Sequence, residues 1–109
     1  MSAKPKIAKL EQVAPRPSTR RTTRRIAGAM ATVRTSGGER NRARIRDVSV
    51  FGCSLVTDAD WLRTGIFVTV QLAPDWSIQA IVRWARDGTG GVEFLRAISE
   101  ADARNIAGE

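Results

Sequence analysis

The rhythm of apolar and polar positions changes near residue 26. Before it, Met1 to Thr19 carries Lys, Ala, Pro and Ser with few bulky apolar side chains, and Pro5, Pro15 and Pro17 oppose helix. This stretch reads as a mobile tail, in which only Ile7 to Val13 could form a fragment of amphipathic helix. After it the chain takes on the period of a pleated strand. Ala27 to Arg34 alternates loosely and predicts a first strand, and Ser36-Gly37-Gly38-Glu39 predicts a hairpin turn. The return strand alternates strictly, with Arg40, Arg42, Arg44 and Arg46 on one face and Ala43 and Ile45 on the other. The simplest reading of those arginines is a solvated face. Asp47 to Gly52 then breaks the strand, and Phe51 to Val56 resumes it.

Thr57 to Asp60 is a polar loop. Gly65 to Leu72 predicts a strand with Ile66, Val68 and Val70 on one side. Ala73-Pro74-Asp75 turns the chain into a further strand, Ser77 to Ala85. Asp87 to Gly91 predicts a tight turn, and Val92 to Leu95 a last short strand. Ser99 is placed to cap a short helix, with Glu100 and Asp102 in its first turn and its end near Gly108. About six short antiparallel strands with Gly turns favour an all-β fold, a small barrel or sandwich, over an α/β fold. Closure would remove the exposed edges that so small a sheet must otherwise protect. The expected organisation is a basic tail at 1–19 and a β domain at 20–109 that begins with an Arg-rich arm at 20–25.

Composition narrows the function classes. The longest apolar runs are far shorter than a bilayer crossing, and no apolar signal core follows Met1, so a cytoplasmic location is expected. The single cysteine, Cys53, leaves no intramolecular disulfide and reads as a small core residue. The chain has no histidine, which removes the commonest general base and the commonest metal ligand together. With no cysteine pair, phosphate loop or carboxylate cluster either, nothing points to an enzyme or to a cofactor.

Charge is unevenly placed. Residues 1–25 hold eight basic groups and one acidic group, whereas the rest of the chain holds ten of each. The whole net charge of +7 therefore sits on the tail and arm, which implies an anionic partner. Arg20-Arg21-Thr22-Thr23-Arg24-Arg25 supplies two overlapping Arg-x-x-x-Arg pairs, Arg20 with Arg24 and Arg21 with Arg25. A guanidinium fork suits bidentate contact with phosphate or a guanine edge. Downstream lies Asp47-Val48-Ser49-Val50-Phe51-Gly52, an Asp-x-Ser-x-x-Gly turn. Read structurally, the Asp and Ser side chains would bond nearby amides, and Gly52 would take a backbone shape that other residues resist. Read chemically, a carboxylate can accept from the N1–H and N2–H₂ edge of guanine, which adenine does not present.

Together these motifs, with Ile81-Val82-Arg83-Trp84 and Gly90-Gly91-Val92-Glu93-Phe94 near the end, resemble the PilZ domain over Arg20 to the C-terminus. The resemblance implies a six-stranded antiparallel barrel with a helix near its end, and a receptor for cyclic di-GMP. It implies that the Arg arm folds over the ligand while the Asp-x-Ser-x-x-Gly edge holds it from beneath. The family pair falls best on Arg21 and Arg25, because apolar Ile26 follows the second, with Arg20 and Arg24 as additional contacts. Asp47, Ser49 and Gly52 match the second motif without gaps. Tryptophans on barrel strands usually fill core or rim, but the resemblance places the Trp84 strand beside the ligand. It also implies a downstream protein in motility, exopolysaccharide or secretion machinery. The alternative is a small barrel binding RNA or DNA non-specifically through its basic arm. That reading gives Asp47 no role, and it expects more aromatic residues than a chain with no tyrosine and three phenylalanines offers.

Overall fold

The computed structural model describes residues 23–109. The tail, the segment Ile7 to Val13, and Arg20 and Arg21 lie outside the described residues. Among the described residues seven antiparallel strands precede one helix: β1 (Arg25–Ile26), β2 (Met30–Arg34), β3 (Arg40–Val48), β4 (Gly52–Val56), β5 (Phe67–Ala73), β6 (Trp76–Arg86), β7 (Thr89–Phe94) and α1 (Glu100–Ala107). The ring runs β3–β2–β5–β6–β7–β4, and β4 returns to pair with β3, so six strands close into a barrel. The short β1 extends the sheet along the same edge of β3 that β2 uses further back, pairing Arg25 with Val48 and Ile26 with Asp47.

Alternation sets the inside of the barrel. Along β3, Ala43, Ile45 and Val48 are buried while Arg40, Arg42, Arg44 and Arg46 are exposed. Val33, Leu55, Val68, Val70, Ala80 and Val82 complete an interior of β-branched and small side chains. Each fully buried Val, Ile or Leu of this kind contributes roughly 1.5–3 kcal/mol. Trp61 and Trp76 pack against this core from the rim, and Trp61 Nε1 donates to Asn41 Oδ1 at 2.8 Å.

Three local features differ from the alternation reading. The strand expected over Ala27 to Arg34 shortens to Met30–Arg34, and a separate short strand forms before it at Arg25–Ile26, because the backbone around Gly28 leaves the ladder while Ala27 N still donates to Arg46 O and Ala29 O accepts from Ile45 N. Asp47 does not break its strand: β3 continues to Val48, and a register shift between Ile45 and Asp47 absorbs the irregularity against β4. The turn before β7 is only Asp87-Gly88, whose positive φ values of 51° and 77° suit a two-residue hairpin. Thr89, Gly90 and Gly91 already belong to β7. Their glycines serve packing: a Cβ on Gly90 would meet Leu62 Cδ2 at 2.7 Å, and one on Gly91 would enter the Trp84 indole.

The terminal helix forms where its caps place it. The Ser99 side chain accepts from Asp102 N at 3.0 Å, and Gly108 closes the helix at φ 83°. Ala103 and Ile106 bury its inner face, and the helix lies against β1 and β3. Among the described residues no helix is long and apolar enough to cross a membrane.

Candidate functional site

The register shift in β3 decides which side chains share a face. Ladder pairing places Ile26, Asp47, Ser54, Gly91 and Trp84 in one row across β1, β3, β4, β7 and β6. The adjoining row, Val48, Cys53, Val92 and Val82, is buried inside the barrel. Because side chains alternate, the Asp47 row faces outward. It is a surface site on the barrel wall.

Asp47 is its centre. Its Oδ1 accepts from Arg24 Nε at 3.0 Å, from the Arg24 terminal nitrogen Nη2, and from Ser54 Oγ at 3.0 Å. Among the described residues its Oδ2 has only Arg46 Nε nearby, at 3.9 Å, which is too long for a hydrogen bond. Among the described residues, one carboxylate oxygen takes all the hydrogen bonds that orient the group, and the other takes none. The Asp47 side chain is 26% exposed, so a ligand can reach it.

Arg24, immediately before β1, and Arg25, its first residue, point in opposite directions. Arg24 covers Asp47. Arg25 turns toward the helix, where its two terminal nitrogens meet Glu109 Oε1 at 2.7 Å and Glu100 Oε1 at 3.3 Å. The Arg25 side chain is only 18% exposed, and its buried Nε has no partner among the described residues.

Ser49 is buried and shapes the turn. Its Oγ accepts from Phe51 N at 3.1 Å, and its own amide donates to Gly52 O at 2.8 Å. Gly52 is required for a reason other than backbone torsion, since its φ is not positive. A Cβ there would run into the Val92 carbonyl oxygen of the neighbouring strand. Trp84 lies over Gly91 at the far end of the row, with the Arg86 guanidinium carbon 5.8 Å from its ring centroid.

Cys53 sits directly behind this row. Burial pushes its thiol from 9.0 up to about 12; nearby Arg24 lowers it and nearby Asp47 raises it further, both by lesser amounts. It is a core residue with no reactive character.

A family model described as PilZ domain matches residues 18–108. This chain belongs to the PilZ domain family. No curated protein matches the sequence at a significant level. PilZ domains are in general non-catalytic binding domains, and the family is one of cyclic di-GMP receptors.

Of the residues singled out from the sequence, the structure brings Arg24, Asp47 and Trp84 to one outer face, with Ser49 and Gly52 forming the turn behind it. Arg25 faces the helix, and Arg20 and Arg21 lie outside the described residues. Ser54 was not legible as a neighbour of Asp47. Simple alternation pairs β3 and β4 without a bulge, which displaces Ser54 from Asp47 by one residue. Glu100 and Glu109 look like ordinary helix-terminal acids until the fold sets them against Arg25.

Proposed function

We propose that this PilZ domain is a non-catalytic receptor for cyclic di-GMP, bound on the outer wall of the barrel around Asp47. The observation that carries the reading is the unequal use of the Asp47 carboxylate. Oδ1 is fixed by Arg24 and Ser54, and Oδ2, which takes no hydrogen bond from the described residues, is the oxygen offered to the N1–H and N2–H₂ edge of a guanine. Adenine offers no such edge, so Asp47 supplies base selectivity. Arg24, with Arg20 and Arg21, supplies guanidinium groups for the phosphodiester oxygens and the O6/N7 face of guanine, and Arg25 joins them only by leaving Glu100 and Glu109. Trp84 closes one side of the row with an indole face.

Binding exchanges partners. Arg24 shares its contact with Asp47 between the carboxylate and the ligand, and the segment before β1 closes over the bound nucleotide. Ordering that segment costs conformational entropy, and the cost makes it a switch. Ser49 and Gly52 act by holding the turn that presents Asp47.

The test is a calorimetric titration of cyclic di-GMP at moderate salt against the parent chain and Arg24→Ala, Arg25→Ala and Asp47→Ala. The expected result is saturable binding by the parent, a loss of at least about tenfold in Arg24→Ala and Asp47→Ala, and discrimination against cyclic di-AMP. Amide exchange of residues 19–25 should slow when ligand is added. Binding to single-stranded RNA that collapses with salt, in the absence of cyclic di-GMP binding, would favour a non-specific nucleic-acid module instead.

A further inference from the structure

The outer face of β3 carries a second feature, one row removed from Asp47. Met30, Arg44, Val56, Thr89 and Arg86 lie side by side across β2, β3, β4, β7 and β6. Around this row is a hollow of about 570 Å³ lined by Met30, Arg42, Arg44, Val56, Asp58 and Asp87, among others. Met30 is 46% exposed beside it, and Arg42 and Arg44 are exposed. Neither arginine has an ion-pair partner among the described residues. The two acids at the hollow do not reach them: Asp58 accepts from Asn41 Nδ2 at 3.1 Å, and Asp87 occupies the hairpin turn.

Arg40, Arg42, Arg44 and Arg46 repeat at two-residue intervals along one strand face, about 6.8 Å apart. Like charges at that spacing repel, and among the described residues only Arg46 of the four has a carboxylate within 4 Å, that of Asp47 at 3.9 Å. Both edges of β3 are already paired, so no partner can add a strand here. Recognition must be by side chains. Arginine and methionine are enriched at protein–protein contacts, and an apolar floor between guanidinium groups accepts one bulky side chain flanked by carboxylates. A nucleic-acid strand would instead look for aromatic platforms. The exposed Phe51 and Phe67 lie elsewhere, on the β3–β4 turn and on β5.

We infer that the outer face of β3, from Arg40 to Arg44 with Met30 and Val56, is a docking surface for an acidic polypeptide segment that seats an apolar side chain between Arg42 and Arg44. The carboxylates pair with guanidinium groups in the bidentate manner, and the apolar residue enters the hollow. Its position one row from Asp47 lets occupancy of the nucleotide row bear on the docking surface through shared strands.

The experiment is selection of random peptides on phage against the full immobilised chain, followed by anisotropy titration of the recovered peptides in solution. The surface predicts enrichment of acidic peptides that contain at least one bulky apolar residue. The double variant Arg42→Glu/Arg44→Glu should lose their affinity by on the order of tenfold or more, and Met30→Ala should lose it several-fold. Thermal unfolding and the cyclic di-GMP titration are repeated on each variant. They separate failure of this surface from failure of the fold or of the receptor reading. Recovery of no peptides, peptides without acidic enrichment, or binding that survives the charge reversal would overturn the proposal. So would oligouridylate RNA or phosphatidylglycerol vesicles that bind more tightly than the peptides and displace them.

Discussion

At the scale of single residues, the site separates groups that make contact from groups that make room. Asp47 and Arg24 are partly exposed and paired, so their attraction adds only about 0.5–1 kcal/mol to stability. Asp47→Asn is therefore expected to leave the thermal midpoint nearly unchanged while removing cyclic di-GMP binding, a contrast read by scanning calorimetry beside titration. Gly52 behaves in the opposite way. A methyl group at that position meets the backbone oxygen of Val92, which cannot move without disturbing the β4–β7 ladder. Gly52→Ala should cost about 1–3 kcal/mol, seen as a lower urea midpoint. The glycine of the motif is thus a spacing device between two strands, and the sequence alone offered only the torsional explanation.

At the scale of elements, α1 and β1 depend on each other. The helix has eight residues, which is short for independent stability, and it relies on its caps and on packing of Ala103 and Ile106. Arg25 on β1 joins it through Glu100 and Glu109. Arg25→Ala removes two ion pairs and a largely buried side-chain stem, for an expected loss of about 1–2 kcal/mol and faster amide exchange in the helix. Arg24→Ala should leave helix exchange as it was, because Arg24 faces Asp47. Ser99→Ala tests the other end of the dependence, and loss of its cap should cost about 1 kcal/mol by thermal unfolding.

At the scale of the whole molecule, the closed barrel keeps one titratable group away from water. Cys53 has its thiol pushed up to about 12, against 9.0 ordinarily. The unfolded chain releases this proton above about pH 9, and the folded chain holds it, so stability falls as pH rises from 9 toward 12. The slope is at most about 1.4 kcal/mol per pH unit. The chain has no tyrosine to obscure the effect, and its three lysines all lie in the tail. Urea unfolding at several pH values should show the slope in the parent and its loss in Cys53→Ala. Much of this architecture was legible in the residues. The arginine and apolar alternation of β3 set its two faces, Ser99 and Gly108 set the helix ends, and the spacing of Asp47, Ser49 and Gly52 marked the motif. Such features depend on neighbours along the chain, and period and capping are local properties. Tertiary structure decided the rest. A bulge between Ile45 and Asp47 chose Ser54 as the partner of Asp47, Trp84 took the place left by the missing side chain of Gly91, and the return of the helix assigned Arg25 to Glu100 and Glu109. The Arg25 pairs join residues far apart in sequence, the other two contacts join residues seven apart across neighbouring strands, and the identity of each follows from strand register and closure, which no local pattern encodes.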